Sequence, residues 1–286
     1  MKTILISTDF SPNAAHAAAY GYNLAKQVKA NILLANAITV PAEVPQSGLI
    51  VWPMNEESEL TVESTGELQK LKAHLEQNDY SDTFRPGVSY IAEAGKVTDV
   101  IEHIADNEIG LIVIGKHSSD VLSTFLLGNH CSNLIDTVNK PLLMVPEGAP
   151  IKQIRKIAFA FDFNHIGKEL KSIYELIAFA KPLNADILLT HVYVEQQSSS
   201  LQLLIDQLLT DLSNKADYPH IYYRALKESN PEKGLDWLCE NGHIDILAMN
   251  HGPYSFIDDV LNLSHTQKMA AHITIPLLVF QAEISV

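Results

Sequence analysis

Cysteine is nearly absent from this 286-residue chain: Cys131 and Cys239 are the only two. Two distant cysteines make no disulfide framework and no Cys-x-x-Cys metal or redox motif, so a reduced, cytoplasmic setting is expected. Basic residues are also scarce, with 20 Lys and Arg against 34 Asp and Glu and a net charge of −14. The deficit is shared: 9 basic against 18 acidic residues in 1–148, and 11 against 16 in 149–286. Neither half offers the broad basic surface that nucleic acid or an anionic membrane requires. Long hydrophobic runs are missing too. The opening MKTILISTDFS meets Asp9 too early for a signal peptide, and no apolar run is long enough to span a bilayer. What remains is a chain with 47% hydrophobic residues, enough for full cores, and long enough for two domains of ordinary size.

The stretch Ile109–Pro146 organises the reading. Ile109–Ile114 is an apolar run of strand length that Gly115 is expected to stop. A polar loop, Lys116–Asp120, follows, then a periodic segment opening at Gly128-Asn129, then the apolar Pro141–Val145. This is strand, loop, helix, strand, with parallel strands buried on both faces. The loop meets a helix N-terminus, where unpaired backbone N–H groups attract anions, phosphate above all. Upstream, strands are expected at Thr3–Ser7, Asn31–Ala37 and Val88–Ala92, and helices at Asn13–Lys29, Glu56–Gln77 and Val97–Asn107. Ser11 is the natural cap of the first helix and Pro12 suits its first turn. Ile38–Asn55, with three prolines and one glycine, reads as a long loop. The order is that of a doubly wound α/β domain with a five-stranded parallel sheet.

The pattern then repeats. Lys156–Phe161 echoes Thr3–Ser7, Asp186–Val194 echoes Asn31–Val40, and His243–Asn250 echoes Glu108–Gly115 at an offset of 135 that persists to Ile275–Leu278. The expectation is two tandem domains, 1–147 and 151–286, each with its own five-stranded parallel sheet, packed as a pseudo-dimer through their last strands. Left open, those apolar edges would invite aggregation. Pairing of whole chains into a homodimer is left open.

TILISTDFS, IGKHS, LLGN and NKPLLMVP together resemble the universal stress protein family in its tandem form, over essentially the whole length. The resemblance implies a Rossmann-like, adenine nucleotide alpha hydrolase-like fold and a cytoplasmic stress-response regulator that binds ATP with Mg2+. The family's loop reads Gly, two residues, Gly, nine residues, Gly, then Ser or Thr. Here Gly115, Lys116 and His117 are followed by Ser118, nine residues, Gly128 and Asn129, so the spacing is intact while two positions differ. By the same resemblance Thr8 and Asp9 lie at the adenine–ribose end, Ala37 packs on the base, Gly95 admits the phosphates, and Ile114, Lys116, His117 and His130 border the loop. In bland terms Asp9 is a helix-start charge, Gly95 a helix-entry turn and Lys116 a solvated lysine. The second copy has Asn250, Pro253, Leu263 and Ser264 at the loop positions, and no nucleotide is expected there; proline cannot donate a backbone N–H. Its histidines, His243, His251, His265 and His272, match no compact metal motif, and no metal site is expected. With no nucleophile–base pair in view, an enzyme is not expected, although weak ATPase activity stays open. The competing reading is a tandem scaffold that has lost nucleotide binding and acts through an unknown protein partner.

Overall fold

The structure, a computed structural model, describes residues 2–39, 54–116, 134–161, 166–193, 199–228, 230–251, 269 and 273–281. Most of the expected loop Ile38–Asn55, together with His117, Ser118, Gly128, Asn129, His130, Cys131, Asp162, Pro253, Leu263, Ser264, His265 and His272, lies outside the described residues.

The first half runs β1 (Thr3–Ser7), α1 (Pro12–Val28), β2 (Asn31–Ile38), α2 (Met54–Gln77), β3 (Val88–Ala94), α3 (Val97–Ile104), β4 (Ile109–Lys116) and β5 (Leu142–Pro146). The second runs β6 (Lys156–Ala160), α4 (Ile166–Ala180), a 3-10 turn (Lys181–Leu183), β7 (Asp186–Tyr193), α5 (Ser199–Ala216), β8 (Ile221–Lys227), α6 (Pro231–Asn241), β9 (Ile246–His251) and β10 (Leu277–Gln281). Local chemistry accounts for several boundaries. Ser11 caps α1, its hydroxyl accepting from Ala14 N, with Pro12 in the first turn; Lys29 closes the helix in the left-handed region. Along α2, Leu68 and Leu75 are buried and Leu60 and Leu71 half-buried, a stripe at helical spacing.

The strands are expected to form two sheets, and here the structure corrects the sequence reading. All ten belong to one sheet in the order β3-β2-β1-β4-β5-β10-β9-β6-β7-β8. Each half is five parallel strands, and the halves meet in one antiparallel pair, β5 with β10. The physical cause is the open edge: β5 and β10 each have one unpaired side, and each satisfies the other's backbone groups. Leu143 faces Leu278 in this pair, and Met144 and Leu142 face Leu277 and Val279. Leu278 is the counterpart of Leu143 at the offset of 135, so a pseudo-twofold axis passes between those two leucines.

One core lies on each face of the sheet, and both run across the junction. On one side Ile4, Ile6 and Leu143 pack with α1, α2 and, across the axis, Phe159, Leu278 and Phe280. On the other, Leu5, Ile112 and Met144 join Leu247, Met249 and Val279. The connector between the halves lies along α1: Asn23 Nδ2 donates to Lys152 O at 2.9 Å, and Ile154 N donates to Gln27 Oε1 at 3.0 Å. Smaller corrections concern boundaries. Gly115 does not stop β4, which runs to Lys116 because Gly115 and Lys116 still pair with Val145 and Pro146. Helix α3 ends at Ile104 rather than Asn107: Asp106 turns the chain, its carboxylate accepting from Glu108 N at 2.8 Å.

Candidate functional site

In each half the chain winds outward from its first strand to the second and third, then returns to place the fourth and fifth on the other side. In the first half the direction reverses between β1 and β4. At such a reversal in open α/β sheets helices leave opposite ways, and the general ligand position is the crevice beyond the carboxyl ends of the two strands. Seven of the twelve candidate residues are described, and all lie at the carboxyl ends of four neighbouring strands: Thr8 and Asp9 after β1, Ala37 in β2, Gly95 after β3, and Ile114, Gly115 and Lys116 in β4. β4 ends at Lys116 on this side of the sheet, and residues 117–133 lie outside the described residues.

The turn after β1 is built by short polar side chains. Thr8 N donates to Ala35 O at 2.9 Å, extending the β1–β2 ladder by one bond. The Thr8 hydroxyl accepts from Phe10 N at 3.0 Å, and Asp9 Oδ1 accepts from Ser11 N at 3.0 Å. Thr8 is buried, whereas Asp9 is exposed at the rim, where a carboxylate can meet a donor. Phe10, which follows Asp9, has φ 63°. At the end of β3, Gly95 takes φ 153° and donates its N–H to Ile38 O at 3.0 Å, which suits glycine at that turn.

Gly115 makes a close contact within the fold. A Cβ there would come within 2.8 Å of Asn13 O and 2.9 Å of Asn13 C. The bare backbone of β4 thus admits the first turn of α1. Lys116 also points away from a simple solvated role. It is buried, and its Nζ donates across the junction to Ile273 O at 3.0 Å. The opposite half reciprocates: His251, the counterpart of Lys116, places Nε2 2.8 Å from Asp136 Oδ1, and Gln281 Nε2 donates to Ile135 O at 2.6 Å.

Sequence reasoning passed over Asn36 and Ser64. Asn36 Nδ2 donates to Thr8 O at 2.7 Å, and Ser64 Oγ of α2 donates to Asn36 Oδ1 at 2.8 Å, both links buried. A signal was present: an isolated polar residue inside the apolar run NILLANAI, at the place where DILLTHVY has His191. Among the described residues no group of three or more His, Cys, Asp or Glu side chains is placed to hold a metal ion. Cys239 stands apart from the crevice, and burial, with Asp236 and Glu240 nearby, pushes its thiol up to about 12. No described helix is long and apolar enough to cross a membrane.

A doubly wound sheet whose strand order reverses at a topological switch point defines a broad class of α/β folds. Within it, the universal stress protein family model matches residues 1–146, half of the chain, and the protein belongs to that family. Among solved structures, a universal stress protein from Archaeoglobus fulgidus DSM 4304 is similar over 98% of this chain and 98% of its own, with a TM-score of 0.72 at 16% identity. A putative universal stress protein from Pseudomonas aeruginosa UCBPP-PA14 covers 99% of this chain and 94% of its own, with a TM-score of 0.59 at 11% identity. The cytoplasmic domain of a prokaryotic cation chloride cotransporter covers 97% and 94%, with a TM-score of 0.54 at 9% identity. At these identities the likeness is one of fold. No curated protein sequence matches.

Proposed function

We propose that this universal stress protein is a stress-response regulator of the cytoplasm that binds ATP in the crevice of its first half and acts through conformation and a protein partner. The observation that carries the reading is a coincidence of place. β4, whose last two residues, Gly115 and Lys116, open the sequence spacing Gly115, Ser118 and Gly128, ends at the switch point, next to the turn that presents Asp9. In this reading Asp9 accepts from the adenine–ribose end, and Ala37 and Gly95 leave room for the base and the phosphates. In the same reading Gly128 and Asn129, at the helix start expected from the sequence, take the phosphate oxygens, with His117, Ser118 and His130 alongside. Mg2+ enters with the triphosphate. The described residues fit the base end: an exposed carboxylate, a small apolar side chain and a glycine turn lie on adjacent strand ends. The second half, with Pro253 and Leu263 in its loop, takes no nucleotide. ATP here is a regulatory ligand rather than a substrate.

A second reading, a scaffold without nucleotide, is favoured by one observation. Lys116 spends its ammonium on Ile273 O and Gly115 spends its bare backbone on α1, so two of the loop's features have structural uses. Mass spectrometry of the denatured purified protein separates the two. Co-purified adenine nucleotide that disappears in Gly128→Leu, the variant that copies Leu263 into the first loop, is the expected result. Absence of nucleotide from the wild type, with no ATP bound on titration, supports the scaffold. Accumulated diphosphate points instead to hydrolysis. Ser118→Gly should tighten ATP binding; weaker binding would make the Ser118 hydroxyl a phosphate ligand.

A further inference from the structure

We propose that Asn36, oriented by Ser64, is a positioning residue for Asp9, and that it acts through the carbonyl of Thr8. The inference rests on the nucleotide reading above and adds to it a residue that touches no ligand.

The main-chain ladder between β1 and β2 runs from Thr3↔Asn31 to Ser7↔Ala35, and its last bond is Thr8 N to Ala35 O. One residue further, the Asn36 side chain takes over: its amide nitrogen donates to Thr8 O at 2.7 Å. The orientation is determined by chemistry. A carbonyl oxygen only accepts, so the amide must present nitrogen to Thr8 and oxygen to the other side. There the Ser64 hydroxyl donates to it at 2.8 Å. Turning the amide over would set two acceptors face to face in a buried place, a costly arrangement.

What this tie holds is the start of a disfavoured turn. Phe10, two residues on, has φ 63°, a backbone region that large L-residues rarely enter and that persists only where the surroundings determine it. Asp9 lies between the held carbonyl and that strained residue, and its carboxylate is the group assigned to the base. Fixing Thr8 O fixes the peptide plane from which Asp9 leaves the strand.

The second half repeats the device with another side chain. The register of β6 with β7 ends at Ala160↔Thr190, Phe161 N donates to Thr190 O at 3.0 Å, and His191 Nδ1 lies 3.2 Å from Phe161 O. Facing a carbonyl, that Nδ1 carries the proton. Asn36 and His191 occupy the same register position and hold the equivalent carbonyl, each one residue before an aspartate, Asp9 or Asp162. Two different polar side chains meeting one carbonyl mark a demand on that carbonyl rather than a packing preference.

The test uses the full chain, ATP as the probe, and the variants Asn36→Leu, Asn36→His, Ser64→Ala, Asp9→Asn and the double variant Asp9→Asn/Asn36→Leu. Asn36→Leu should weaken ATP binding about tenfold, the scale of a lost buried hydrogen bond, and Ser64→Ala by less. Asn36→His, which borrows the second half's solution, should restore it. In the Asp9→Asn background the Asn36→Leu change should have no further effect, because two residues acting through one group are not additive. Hydrogen exchange at the amides of Phe10 and Ser11 should quicken in Asn36→Leu and return to the wild-type rate in Asn36→His. Additive losses in the double variant, or failure of histidine to rescue, would overturn the positioning role. Should the wild type bind no ATP, the nucleotide reading fails by itself. Hydrogen exchange then decides the tie: unchanged rates in Asn36→Leu would sink it, and rescued rates would support it.

Discussion

Asp79 shows how far a single side chain can organise its surroundings. Its carboxylate is buried at the end of α2, with Lys26 Nζ 2.6 Å away, the Tyr22 hydroxyl donating at 3.2 Å, and Ser81 donating from N and Oγ. The Lys26 hydrogen bond, with those of Ser81, holds the Asp79 carboxyl well below the usual carboxylate range against the opposing effect of burial. The depressed value fixes the sign of the pH effect. The contribution to stability is complete above the unfolded value of about 3.9 and is lost as pH falls from there toward the lower folded value. Asp79→Asn should cost about 3 kcal/mol at neutral pH by leaving Lys26 without its anion. The difference from wild type should shrink below about pH 4, which denaturant titrations at two pH values will measure. Gly115 gives a second residue-scale expectation. Gly115→Ala should destabilise by about 1–3 kcal/mol, because the added Cβ meets the Asn13 backbone rather than a yielding side chain. The loop pattern could not reveal this reason for glycine, since the partner lies some hundred residues upstream in the sequence.

At the scale of elements, the expected β-α order was legible because apolar runs of strand length alternate with helical spacing and explicit caps. Ser11-Pro12 marked the cap and first turn of α1, which starts at Pro12, one residue before the expected Asn13, and the offset of 135 between the halves survives as strand register, Ile112↔Leu142 against Leu247↔Leu277. Less legible was anything decided by a strand's partner. β4 continues through Gly115 because β5 is there to pair with it, and two expected sheets became one because β10 is the partner of β5. The candidate site divided the same way. Thr8, Asp9, Ala37, Gly95, Ile114, Gly115 and Lys116 were placed together at the strand ends, but the buried links through Asn36 and Ser64, and the crossing of Lys116 to Ile273, depend on contacts between distant segments. The junction is testable through its central pair. Leu143 and Leu278 are fully buried, so Leu143→Lys or Leu278→Lys should cost about 4 kcal/mol or more and lower the melting temperature of both halves together. A calorimetric trace in which only the mutated half melts earlier would mean that the halves are not energetically joined.

At the scale of the molecule, sheet, cores and connector all cross the pseudo-axis, and unfolding should follow one cooperative transition. The expected calorimetric and van't Hoff enthalpies are equal, and a ratio well above one would count against it. The antiparallel pair of β5 with β10 also has a consequence for mass action. Two separate chains joined by such an edge would come apart on dilution, and their melting temperature would rise with protein concentration. Here both edges belong to one chain, whose short connector is bonded along α1, so each edge meets the other at a local concentration fixed by geometry. Pairing is therefore insensitive to how much protein a cell makes. At low abundance the molecule keeps the same shape it has at high abundance, and a thousandfold dilution series followed by thermal melting should return a single, unshifted midpoint.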